Sequence, residues 1–110
     1  MKKVLIIDND ETSSLYYSLI LKLHDTTVIK DENEVTQKIA ESNYDVIIIN
    51  RYALGNSGLI ILKDLKIKNK NLKIVMVATY PEALKESLDI KCDSFYLKPI
   101  SSQEIMSIVK

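Results

Sequence analysis

The sequence has one cysteine, one histidine, two glycines and no excess of charge, its 15 basic residues being matched by 15 acidic ones. Each scarcity removes a class of function. A lone Cys92 rules out an internal disulfide, so nothing calls for an oxidising compartment and the cytoplasm is the expected location. Cys92 is also a poor catalytic nucleophile. His24 lies far from it along the chain, and a carboxylate neighbour, Asp93, raises a thiol pKa rather than lowering it. A nucleic-acid-binding domain of this size carries a basic excess on one face. Here only "KIKNKNLK", Lys66 to Lys73, concentrates positive charge, and it reads as a solvated helix end and loop, so no direct nucleic-acid contact is expected. No apolar run approaches the ~20 residues of a membrane span. The opening "MKKVLIIDNDE" has a short apolar run that ends in acids, which is a strand and not a signal peptide, so no membrane partner is expected either.

What is present is one domain, residues 1–110, with 46% hydrophobic and 27% charged residues. That is enough chain to bury a core without disulfide or metal staples. Strand-length apolar runs alternate with segments of helical spacing. "KVLII", Lys3 to Ile7, predicts a first strand, "TTVIK" from Thr26 a second, "DVIII" from Asp45 a third, "KIVMVA" from Lys73 a fourth and "SFYLK" from Ser94 a fifth. Between them Leu15, Leu19 and Leu23, with Tyr16 and Ile20, form one helical stripe. Val35 and Ile39 mark a short helix over 32–41, and Leu59, Ile61, Leu62 and Leu65 mark the next. "PEALKESL" begins with Pro81, suited to a helix start, and a last helix opens near Ser101 or Ser102 and runs to Lys110. "DVIII" is apolar on both faces, as a central parallel strand is. Alternating strands and helices predict a doubly wound parallel sheet in a three-layer α/β/α sandwich. Ile6, Val46, Ile48, Leu62, Val75 and Val77 are the expected core. In such sheets the functional crevice lies beyond the carboxyl ends of the strands.

The residues at those ends are Asp8, Asn9 and Asp10 after the first run, Asn50 after the third, Ala78 and Thr79 after the fourth, and Lys98 with Pro99 after the fifth. In that order and spacing, "VLIIDND", "YDVIIINRYALGNSG", "IVMVAT" and "FYLKPI" together resemble the receiver domain of two-component response regulators, along the whole chain. The resemblance implies a CheY-like, flavodoxin-like sheet in the order 2-1-3-4-5. It also implies a site in which a divalent cation, an aspartate and a hydroxyl support phosphoryl transfer.

This sequence departs from that pattern at the residues that carry the chemistry. The phosphoacceptor-equivalent residue is Asn50, whose neutral carboxamide is a poor nucleophile and forms no acyl phosphate. Asp8 matches one member of the acidic pair, but Asn9 replaces the other. Magnesium prefers charged oxygens, so no cofactor is expected and magnesium binding at most weakly, with Asp8 its candidate ligand. Asp10 is the alternative carboxylate but stands where it would cap the first helix. Ala78 replaces the hydroxyl residue of the fourth strand, and Thr79, one position later, belongs to the other face. Lys98 matches the family's lysine, whose following peptide bond, here to Pro99, is commonly cis. With Asn50 neutral, Lys98 is expected to pair with Asp8 or Asp10. Phe95 matches the aromatic switch position, which simple core packing also explains. Arg51 and Tyr52 could cover the crevice, with Arg51 neutralising Asp8. Leu54 stands where the family has proline, while Gly55 and Gly58 preserve the turn.

The expected function is that of an atypical receiver, a pseudo-receiver, acting by protein contact and not as an enzyme. A protein partner, an output domain beyond Lys110 or a second copy would dock on the face made by residues 81–88, 94–98 and 102–110. Two alternatives stand beside this reading. One is a phosphorylation-dependent switch with a substituted acceptor. The other is a small nucleotide-binding α/β domain, disfavoured because "DNDETSS" lacks the glycines of a phosphate-binding turn.

Overall fold

The run "KIVMVA" is fully buried after its first residue, as is "VLII" of the first strand, so both lie inside a sheet covered on two faces. In the computed structural model, which describes Met1–Lys110, five strands form that sheet: β1 (Lys3–Ile7), β2 (Asp25–Ile29), β3 (Val46–Asn50), β4 (Lys73–Ala78) and β5 (Ser94–Leu97). All pairings are parallel, in the order β2-β1-β3-β4-β5. The register sets Ile6 beside Ile48 and Ile48 beside Val75, so like-facing apolar side chains run across the sheet.

Alternation along the strands divides the core in two. Leu5, Ile7, Ile47, Ile49, Ile74 and Met76 face α2 (Val35–Glu41), α3 (Asn56–Lys68) and α4 (Ala83–Asp89), meeting Val35, Leu59, Leu62, Ala83 and Ile90. Val4, Ile6, Val46, Ile48, Val75 and Val77 face α1 (Glu11–Ile20) and α5 (Ser102–Ile108), meeting Tyr17, Leu21, Ile105 and Ile108. All six expected core positions are buried.

One helix turns a different face to the sheet from the one its leucines predict. On α1 the buried positions are Ser14, Tyr17 and, in the turn that follows, Leu21. The Leu15, Leu19, Leu23 stripe points outward, 62%, 60% and 80% exposed. Two apolar spacings compete in this segment. The side carrying Tyr17 and Leu21 is the one that packs on Val4, Ile6 and Ile48, while Asp10 caps the helix start, its carboxylate accepting from the Thr12 amide. Elsewhere the differences are at boundaries: a 3-10 turn, Glu32–Glu34, precedes α2, and Pro81 lies in the turn before α4. Helix α5 is about two turns long and begins with a reciprocal capping box, Ser101 with Glu104.

Candidate functional site

The carboxyl ends of β1, β3 and β5 bring one carboxylate, one carboxamide and one ammonium together. Asp8, the first residue past β1, is 1% exposed, yet both its oxygens are occupied. Oδ1 accepts from Asn50 Nδ2 at 3.0 Å and from the Asp10 backbone N–H at 2.9 Å. Oδ2 accepts from Lys98 Nζ at 3.2 Å. A buried carboxylate needs such partners, since an unpaired one carries a desolvation cost of several kcal/mol. Because Asp8 is acceptor-only, the Asn50 amide must turn its NH2 toward it. The same NH2 reaches Asn9 Oδ1 at 3.3 Å.

Of its two acidic neighbours, Lys98 takes Asp8, and its second partner is Ser13 Oγ at 3.0 Å. The peptide bond from Lys98 to Pro99 is cis. Asp10 faces its own helix. It accepts from the Thr12 N–H at 3.3 Å and from the Ser13 hydroxyl at 2.6 Å, and the Ser13 bond in particular holds its carboxyl below the ordinary range. Ala78 is fully buried at the end of β4, and Thr79 is exposed one residue beyond. Phe95 is half-buried against the α2-α3-α4 side of the core, so it packs as an ordinary sheet residue. Tyr17 lies buried beneath the site with its hydroxyl unpartnered. Burial, then the Asp8 and Asp10 charges, push that hydroxyl well above the usual phenol range.

Arg51 does not neutralise Asp8. Its guanidinium is almost wholly buried and runs away from the crevice, donating from Nη1 to the Leu54 carbonyl at 2.9 Å and from Nη2 to Glu86 on α4. Lys98, reaching across from β5, leaves it no role at Asp8. Tyr52 stays at the rim, edge-on to Tyr80 with ring centroids 6.1 Å apart. The loop between β3 and α3 is held from outside by Glu32, whose carboxylate accepts from the Gly55 and Gly58 amides at 2.8 and 3.0 Å and from the Ser57 hydroxyl at 3.0 Å. Sequence reasoning missed Ser13, Glu32 and Glu86. Ser13 had a signal in its three-residue spacing from Asp10. Glu32 and Glu86 had none, since each acts on a loop distant in sequence.

A five-stranded 2-1-3-4-5 sheet with acid, amide and lysine at its carboxyl edge defines a receiver-type signalling domain. The family profile of the response regulator receiver domain matches residues 4–110, and the chain belongs to that family. The chain is similar to a cyclic di-GMP phosphodiesterase of Thermotoga maritima, 28% identical over 89% of this chain and 27% of the relative. It is also similar to the transcriptional regulatory protein ResD of Bacillus subtilis, 24% identical over 98% of this chain and 46% of the relative. It therefore spans less than half the length of these curated relatives, and the phosphodiesterase is matched only over a receiver-sized stretch. Among solved structures, a receiver domain of a Francisella response regulator superposes with a TM-score of 0.82 at 29% identity, covering 99% of this chain and 94% of that one. A CheY-like receiver protein of Methanospirillum hungatei superposes with a TM-score of 0.85 at 19% identity, covering 99% and 90%. No helix is long and apolar enough to cross a membrane.

Proposed function

We propose that these 110 residues form a degenerate receiver that signals by protein contact without phosphorylation of an aspartate. The observation that carries the reading is the 3.0 Å hydrogen bond from Asn50 Nδ2 to Asp8. Asn50 takes the acceptor position with a neutral amide, and that amide is engaged as a donor, which leaves no carboxylate nucleophile at that position.

The residues do not fit a magnesium ion. A hard cation wants several charged oxygens with free lone pairs, whereas Asp8 is the only carboxylate at the centre and is already met by two N–H donors and an ammonium. Asp10, the alternative ligand, is engaged in capping α1. Asn9 offers a neutral oxygen already used by Asn50. Burial of Ala78 with exposure of Thr79 leaves no hydroxyl in the place of the family's serine or threonine.

Contact through the α4-β5-α5 face fits the exposure of Leu84, Leu88, Leu97 and Met106. A protein partner, or an output domain in a longer chain, would cover that face.

The test is exposure to acetyl phosphate, and separately to beryllofluoride, with millimolar magnesium. Intact mass, oligomeric state and amide spectra should be unchanged. Asn50→Asp alone should gain little reactivity, because Asn9 and Ala78 still differ from the family pattern. A phosphorylated Asn50→Asp protein that changes its association state would overturn the proposal.

A further inference from the structure

The outward leucines of α1 and of the turn that follows it are an apolar feature that neither the crevice nor the α4-β5-α5 face uses. Leu15, Leu19 and Leu23 recur every fourth residue, with Tyr16 beside them, and all four are exposed. The opposite side of the helix is already committed to the core through Tyr17 and Leu21. A helix apolar on two sides is normally covered on both.

We propose that this stripe is the seam of a symmetric dimer, in which α1 packs antiparallel against α1 of a second copy of this chain. The charges at its ends select that occupant and that direction. Asp10 and Glu11 stand at the amino end, and Lys22 follows the carboxyl end. A twofold axis passing between Tyr16 and Leu19 sets Leu15 of each copy against Leu19 of the other and brings each Glu11 to the Lys22 of its neighbour. A two-fold interface requires this self-complementarity. A parallel pair would set Glu11 against Glu11 and align the helix dipoles unfavourably. Glu11 also holds Lys30 of its own chain at 2.9 Å, with both side chains mostly exposed, so the rim becomes an alternating row of basic, acidic and basic groups. Helix α4 lies on the other side of the sheet from α1, which leaves Leu84 and Leu88 free when the seam is closed. The inference stands apart from the proposed function and holds whether or not the crevice can be phosphorylated.

Sedimentation velocity of the full chain tests it. The weight-average mass should rise from monomer toward dimer over roughly 10 μM to 1 mM, the range suited to a small interface. Leu19→Glu and Leu15→Glu should each hold the protein monomeric throughout, while Leu88→Glu should leave association unchanged. Glu11→Lys should weaken the dimer about three- to ten-fold and Glu11→Lys/Lys22→Glu should restore it, as expected for exposed charge pairs counted twice by symmetry. Circular dichroism checks that each variant is folded; the sites are exposed, and the two leucine variants report independently. A protein monomeric at every concentration overturns the seam. So does a dimer that Leu88→Glu abolishes and Leu19→Glu leaves intact, and a charge-swapped double variant that does not recover overturns the antiparallel register.

Discussion

Arg51 and Glu86 join the loop after β3 to the middle of α4, 35 residues apart in sequence, with the arginine side chain 10% exposed and the glutamate 39%. The asymmetry in exposure decides what each loss does. Removing Arg51 frees a glutamate that can turn to water, whereas removing Glu86 strands a buried guanidinium whose Nε already lacks a partner. Glu86→Ala should therefore destabilise by about 2–3 kcal/mol and Arg51→Met by only about 1–2 kcal/mol, measured by urea unfolding. The Arg51 hydrogen bond, more than its charge at a distance, holds the Glu86 carboxyl below its usual range. A depressed carboxylate contributes stability above the unfolded-state value, and that part is lost as pH falls through the folded-state value. Acid unfolding of Glu86→Gln should accordingly be less steep than that of the parent.

The Glu32 staple makes a second claim on pH. Hydrogen bonds from Ser57, Gly55 and Gly58 lower the Glu32 carboxyl, again giving stability present above the ordinary carboxylate range and lost below it. Glu32→Ala should lower the hydrogen-exchange protection factors of the Gly55 and Gly58 amides at neutral pH, and acidification of the parent should lower the same protection factors. Unaltered exchange in the variant would remove the staple.

Gly58 is required by closeness, not by backbone conformation. A Cβ there would lie 2.8 Å from Glu32 Oε1 and 3.1 Å from Leu54 Cδ2. Alanine gains about 1 kcal/mol of helix propensity over glycine, but overpacking against buried Leu54 costs about 1–3 kcal/mol. Gly58→Ala should thus be destabilising by roughly 1 kcal/mol in chemical denaturation, whereas a solvated glycine at a helix start would give a gain.

Asn50→Asp replaces a donor with a second carboxylate about 3 Å from Asp8. Loss of that bond and like-charge repulsion should cost about 2 kcal/mol at neutral pH. Millimolar magnesium should recover part of the loss in the variant and leave the parent's unfolding midpoint where it was.

Cys92 is half-buried, and burial first, with a smaller contribution from Asp93, pushes its thiol up to about 11. At pH 7 it should react with Ellman's reagent many-fold more slowly than the free thiol of an unfolded chain, and fully once the protein is unfolded in urea.

How much of this was legible depends on whether the deciding contact was local. The strands were readable because Val4–Ile7 and Ile74–Val77 are apolar on both faces, and strand order followed from the family resemblance that the strand-end residues carry. The face of α1 was not, since Leu15, Leu19, Leu23 and Tyr17, Leu21 are rival helical stripes, and the choice is made by tertiary packing against β1, β3 and α5. The chain end of each strand gave Asp8, Asn50 and Lys98 as neighbours. Where Arg51 would go was hidden, because its partner on α4 is set by tertiary packing alone.

The hydrogen-bonded chain from Asn9 through Asn50 and Asp8 to Lys98 also bears on how such a sequence can change. Asn50 serves Asp8 as a donor, so a carboxylate introduced at 50 removes that donor and sets two acids against the single ammonium of Lys98. Re-acidification of position 50 therefore carries a folding cost that exchange for another neutral donor avoids.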